Sequence, residues 1–286
     1  MNNGEYFCPK TLNEALDLLD KYREKAVIVN GGTDIVEKIA HKTIDPEAII
    51  YIQDIPELKN IAEEKGFVCI GGASTYDDVL GSPLCKQFSG LRQAVAQIGS
   101  PAVRVLGTPA GNIGTSVPAS DCNVPMIALN AEIVLASKHG ERTIQAKDMF
   151  IDYCKTQMER HELIKEIRIP KLSANTGTAF VRLTKRKGQD ISQVAVAVCL
   201  TLDGETCQAI SIGMGAISTT TIKAYSLEKL MIGKKVEVGL ADIKGVIPSE
   251  AMLRSPRNKL YKEAVVSVVV ERAIKMAYEE AVGREN

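Results

Sequence analysis

The chemistry this sequence offers is concentrated in two glycine-bearing stretches. Between Gly107 and Ser120 the chain carries three glycines, two prolines and several short hydroxyl or amide side chains, with no large apolar residue beyond Ile113 and Val117. Glycine and proline at this density fix unusual turns and let a backbone come close to a ligand, while Ser, Thr and Asn add short hydrogen-bonding groups. The composition predicts a polar loop outside the core, then a short helix over 124–129 with Asp121 near its start and Pro125 tolerated in its first turn. A loop that ends in a helix N-terminus suits a phosphorylated or otherwise polar cofactor. A long surface loop without a ligand would have the same composition.

The second stretch, Asn30-Gly31-Gly32-Thr33-Asp34, lies between an apolar strand over 26–29 and a helix signalled by Ile35, Val36 and Ile39. Its two glycines permit close backbone approach, Thr33 is placed to cap the helix, and free N–H groups face whatever lies at the helix start. The same residues also make a plain strand-to-helix turn. A P-loop is excluded because Gly32 is followed by Thr33-Asp34 rather than Lys-Ser/Thr, and neither stretch contains G-x-G-x-x-G. A third feature, Lys185-Arg186-Lys187, reads as solvated surface or as a source of cations for an anionic reduced ring or for phosphates.

The chain that must position these residues is globular in composition. Its 286 residues suffice for two domains or one large one, 45% are hydrophobic and 24% charged, and 35 basic residues balance 35 acidic ones. Zero net charge argues against a general nucleic-acid or anionic-membrane surface. No apolar run approaches a membrane span and the N-terminus lacks the apolar region of a signal peptide, so a cytosolic location is expected. The seven cysteines are scattered, the nearest two being eight positions apart, and the three histidines are equally dispersed. No metal site is expected within the chain.

Thr11-x-x-Glu14 and the apolar spacing of Leu12, Ala15, Leu16 and Leu19 predict a capped helix over 11–22. Strands are expected over 26–29, 49–52, 67–73, 131–136, 141–145 and 163–169, with a helix beginning at 74–77 and another over 91–98. The polar stretch 171–177 reads as a domain boundary. Beyond it, strands over 178–183, 194–202 and 207–214, with Asp203-Gly204 as a hairpin turn, precede helices over 224–231, 238–246 and 260–281. The C-terminal part is thus a small antiparallel sheet backed by helices, an α+β layer.

Asn30-Gly-Gly-Thr-Asp34, Gly71-Gly-Ala-Ser-Thr75, Gly107-Thr-Pro-Ala-Gly-Asn112, Pro118-Ala-Ser-Asp121 and Ala128-Leu-Asn-Ala131 occur in that order. Together with Glu162-Leu-Ile-Lys-Glu-Ile-Arg-Ile-Pro170 and the Lys-Arg-Lys to Ser192 loop, they resemble the FAD-binding (medium) subunit of the molybdenum hydroxylases, the family of xanthine dehydrogenase and carbon monoxide dehydrogenase. The resemblance covers nearly the whole chain. It implies an α+β protein with an FAD-binding domain of the PCMH type over 1–172, built of two α/β subdomains (about 1–55 and 56–172). A small C-terminal domain of three antiparallel strands and helices over 173–286 would follow.

The resemblance also implies that FAD lies between domains. Val29, Asn30, Gly31, Gly32, Thr33, Asp34 and Ile35 would wrap its pyrophosphate, and Thr108, Pro109, Ala110, Gly111, Asn112, Thr115 and Ser116 would complete the cradle. Asp121 would contact the ribityl or phosphate end, and Ile164 would pack on the cofactor. The family more often has Gly-Gly where this chain has Ala110-Gly111, and often a lysine where it has Arg182, so the cationic partner is Arg182, Lys185 or Lys187. Molybdopterin and 2Fe-2S clusters are expected only on a large and a small partner subunit. Electrons would pass through the FAD to NAD or another acceptor, with xanthine preferred as substrate by family frequency. A self-contained flavoenzyme related to the enolpyruvyl reductases and a flavin-free scaffold subunit are the alternatives.

Overall fold

The structure is a computed structural model and describes residues 4–186, 188–253 and 258–285. The chain begins with β1 (Glu5–Phe7), α1 (Leu12–Tyr22), β2 (Ala26–Val29), α2 (Ile35–Ala40) and β3 (Ala48–Tyr51), whose strands pair in parallel in the order β1-β3-β2. Thr11 caps α1 by accepting from the Glu14 N–H at 3.2 Å, and the Glu14 carboxylate reaches back to the Lys10 N–H at 2.7 Å. The apolar stripe of α1, Ala15, Leu16 and Leu19, packs with Ile50 and Ile52 on one face of this sheet. A small parallel sheet so covered offers its ligand-facing edge where the strands end, and the 30–34 turn leaves β2 at that edge.

The second sheet is formed by β4 (Ile61–Glu64), β5 (Phe67–Gly71), then β6 (Glu132–Ser137), β7 (Gly140–Gln145) and β10 (Leu163–Pro170), in the order β4-β5-β10-β6-β7 with all pairs antiparallel. A hairpin of β8 (Phe150–Asp152) and β9 (Lys155–Thr156) precedes β10. Five short helices separate β5 from β6: α3 (Tyr76–Gly81), α4 (Ser89–Ala96), α5 (Pro101–Arg104), α6 (Pro109–Thr115) and α7 (Asn123–Ala128). Phe88, Leu91, Ile113, Met126 and Ile127 from these helices and their caps meet Ile70, Ile133, Leu135 and Ile167 of the sheet in one core.

The polar loop expected between 107 and 120 is therefore half helix. Thr108 supplies the cap and Pro109 sits at the first helical position, where its missing N–H costs nothing. Pro109, Ala110 and Ile113 are buried, so this stretch contributes to the core that its composition seemed to exclude it from.

The third sheet is formed by β11 (Thr176–Leu183), β12 (Val194–Asp203), β13 (Thr206–Gly215) and the two-residue β14 (Ile222–Lys223), antiparallel in chain order. The expected three strands are its long members, and β14 adds a short edge. Helices α8 (Tyr225–Met231), α9 (Val236–Ile243) and α10 (Lys259–Glu285) cover it, with Val266, Val269, Val270, Ile274 and Ala277 of α10 packed on Val196, Val198 and Leu200. On the opposite side α7 lies against β12 and β13, where Val124 and Ala128 meet Phe180, Ala195 and Ala197. No described helix is long and apolar enough to cross a membrane.

Candidate functional site

The two glycine-bearing stretches, about 75 residues apart in sequence, meet in space. Asn30, buried at the end of β2, donates from Nδ2 to the Gly72 carbonyl at 2.7 Å and to Thr108 Oγ1 at 3.0 Å. Thr108 Oγ1 also accepts from the Gly111 N–H at 2.9 Å, so one hydroxyl caps α6 and receives the turn. At the other end of α6, Thr115 Oγ1 donates to Asp34 Oδ2 at 3.4 Å, an oxygen that Lys38 Nζ approaches to 2.5 Å. The helix thus lies along the 30–34 turn and is fastened to it at both ends.

Close packing explains Gly31. A Cβ there would stand 1.9 Å from the Leu106 carbonyl oxygen, which Gln53 Nε2 holds from another direction at 2.6 Å. Gly32 has φ +70°, a left-handed conformation that disfavours other residues. Past it, the expected Thr33 cap is not made: Thr33 is exposed, Asp34 is the residue before α2, and its side chain makes no capping bond. Consequently the N–H groups of Gly32, Thr33, Asp34 and Ile35 find no acceptor among the described residues. Successive unpaired N–H groups in such a turn form a concave donor set suited to an anion. Beside it, Asn30 Oδ1, Asn112 Oδ1 and Ser116 Oγ are buried without a hydrogen-bond partner. Buried polar atoms of this kind require one.

The structure brings Val29, Asn30, Gly31, Gly32, Thr33, Asp34 and Ile35 together with Thr108, Pro109, Ala110, Gly111, Asn112, Thr115 and Ser116. Ser116 ends α6 in the left-handed region at φ 52°. Ile164 joins through the backbone: it precedes an irregularity in the β10–β6 pairing, and its carbonyl oxygen would stand 2.0 Å from a Cβ on Gly72. Its side chain is buried in the core of the second sheet.

Asp121 does not cap α7, whose first residue is preceded by Cys122 with no side-chain capping bond. Its carboxylate is buried, with Oδ2 2.5 Å from Arg182 Nη1 and Oδ1 accepting from Ser192 Oγ at 2.6 Å. Burial pushes this carboxyl up from its ordinary value, against the pull of Ser192 and Arg182. Lys185 is exposed, and Lys187 lies outside the described residues. Between them Arg186 pairs with Asp190 at 3.2 Å, and chiefly this bond lowers the Asp190 carboxyl to about 2.

Gly72, Gln53, Gln97 and Ser192 complete these contacts and are not among the expected site residues. Gly72 and Ser192 fall in motifs that carry the family resemblance; a lone Gln53 or Gln97 carries no signal. Among the described residues no group of three or more His, Cys, Asp or Glu side chains is placed to hold a metal, and all seven cysteines are free thiols.

Comparison with known proteins identifies the family. Residues 2–172 match the family described as the FAD binding domain in molybdopterin dehydrogenase, and residues 179–277 match the CO dehydrogenase flavoprotein C-terminal domain. The carbon monoxide dehydrogenase medium chain of Hydrogenophaga pseudoflava is 31% identical over 278 residues, 96% of each chain. The nicotinate dehydrogenase FAD-subunit of Eubacterium barkeri is 30% identical, with 95% of each chain covered. A solved structure of the Hydrogenophaga pseudoflava carbon monoxide dehydrogenase superposes with a TM-score of 0.87 over 97% of this chain and 98% of that one, at 31% identity. With both of its parts matched and the donor-lined cradle in place, the chain belongs to the FAD-binding oxidoreductase subunits of the molybdenum hydroxylase family.

Proposed function

We propose that the FAD of this subunit lies along the turn from Asn30 to Ile35 and the facing side of α6. The observation that carries this placement is the run of unpaired N–H groups from Gly32 to Ile35 beside the unpartnered Asn30, Asn112 and Ser116 oxygens. The donors fit a pyrophosphate, and the short polar side chains fit a polyhydroxyl chain. Val29, Gly31, Thr33 and Asp34, with Thr108 to Asn112 and Thr115, would form the walls, and Asp121 and Ile164 would lie toward the ribityl and ring end. When bound, FAD supplies reversible two-electron and one-electron transfer. The protein's part is to fix the cofactor's anionic middle and exclude water from it. Residues 1–172, in subdomains of about 1–55 and 56–172, would hold the cofactor, and 173–286 would close on it.

The subunit would work in the cytoplasm within a larger assembly. A large partner would carry molybdopterin and the substrate, a small partner would carry 2Fe-2S clusters, and electrons would leave through this chain to NAD or another acceptor. Hydroxylation with a water-derived oxygen needs chemistry that a flavin lacks, so the substrate is set by the large partner. Xanthine is the first substrate to test, and the relatives named for carbon monoxide and nicotinate supply the next. Purified holoprotein should reduce a dye with NADH but not with xanthine. Adding the two partner subunits should establish substrate-dependent reduction. Xanthine turnover by the isolated chain would overturn the relay reading.

A further inference from the structure

We propose that Arg182 is a positioning residue, a latch that holds the third sheet and the Asp190–Ser192 segment onto the linker between α6 and α7, and not a ligand of the cofactor's anionic groups. The inference rests on the placement of FAD proposed above. Its basis is the engagement of the guanidinium. Nη1 donates to Asp121 Oδ2 at 2.5 Å and to the Asp190 carbonyl at 3.4 Å, Nε to Gln97 Oε1 at 3.2 Å, and Nη2 to the Gln97 carbonyl at 2.9 Å. The Asp121 carboxylate is closed from the other side by Ser192 Oγ at 2.6 Å. The two charged side chains are 8% and 7% exposed.

One planar group therefore ties together the end of β11, the C-terminal cap of α4, the α6–α7 linker and the residues that lead into β12. These segments lie 61 to 85 positions from Arg182 or, for Asp190, eight. A cation already committed on three sides has little left to offer a phosphate or a reduced ring. Its influence on the flavin would run through Asp121 and Ser192, whose positions it sets. A lysine can pair with Asp121 but cannot span Gln97 and Asp190 at the same time.

The test compares the apoprotein and holoprotein of Arg182→Met, Arg182→Lys, Asp121→Leu and the Asp121→Leu/Arg182→Met double variant. In the apoprotein, Arg182→Met leaves a buried carboxylate unpaired and should lower Tm by roughly 5–10 °C, and the double variant should recover much of that loss. Arg182→Lys should retain most of the Tm and the FAD content, yet shift the visible circular dichroism of the bound flavin, which a purely structural tie would leave alone. Unchanged apoprotein Tm in Arg182→Met with lost FAD affinity would make Arg182 a direct ligand and overturn the latch. A wild-type flavin spectrum in Arg182→Lys would overturn its positioning role. Failure of the wild-type chain to bind FAD would instead sink the placement of the cofactor, and the apoprotein coupling alone would then decide the latch.

Discussion

Single residues separate the glycines that the fold itself requires from one that it does not. Gly31 and Gly32 sit in the motif that suggests cofactor approach, but Gly31 is required by the Leu106 carbonyl and Gly32 by its φ of +70°. Substituting either would disturb the fold and report nothing specific about FAD. Gly114 is different: it is exposed on α6, and a Cβ there would meet nothing within 4 Å. It lies three residues after Gly111 and one before Thr115, on the open side of a helix whose Pro109, Ala110 and Ile113 are buried. Gly114→Leu should leave the apoprotein as stable or up to about 1 kcal/mol more so, because leucine is the better helix former, while reducing its flavin-to-protein ratio. Urea unfolding and absorbance at the flavin band measure the two effects. Full FAD content in a well-folded variant would move the cofactor off this face.

Among the elements, α6 matters most because it joins the cradle to the core. Its cap is one hydroxyl with two duties, accepting from Gly111 and from Asn30. Thr108→Ala removes the one oxygen that accepts both bonds and should cost the apoprotein about 1–2 kcal/mol, whereas Thr108→Ser keeps the oxygen and should stay within about 0.5 kcal/mol. Equal stability of Thr108→Ala and wild type in urea would show that the cap does not position the helix. This helix also marks where the sequence stopped being legible. Long elements such as α1, β12 and β13 declare themselves through apolar periodicity. In α6 the residues are small, Gly and Pro mimic a loop, and burial falls on Pro109 and Ala110, which carry no strong hydrophobic signal. Family resemblance is what joined the 30–34 turn and the 107–120 stretch into one expected site; local pattern alone left them as a turn and a loop. The bonds of Arg182 to Asp121 and of Asn30 to Thr108 lie 61 and 78 positions apart in sequence, and no local rule anticipates them.

For the whole molecule, three sheets share one job. The parallel sheet delivers the donor turn, the second sheet and its helices bring α6 alongside it, and the third closes on α4 and α7. The last contact is fixed by α10 as well, since Glu280 accepts from Ser89 Oγ at 2.5 Å and from the Thr178 N–H at 2.7 Å. A turn with four successive unpaired donors, set beside unpartnered polar atoms of α6 from a distant segment, suits an anionic ligand that also carries hydroxyl groups. The most direct test is the stoichiometry of FAD on the purified chain, with calorimetric titration of the apoprotein by FAD and by FMN. The expected result is one FAD per chain, bound far more tightly than FMN because the Gly32–Ile35 donors hold a pyrophosphate that FMN lacks. A folded apoprotein that takes up no FAD, or that binds FMN equally well, would contradict the placement of the cofactor on this cradle.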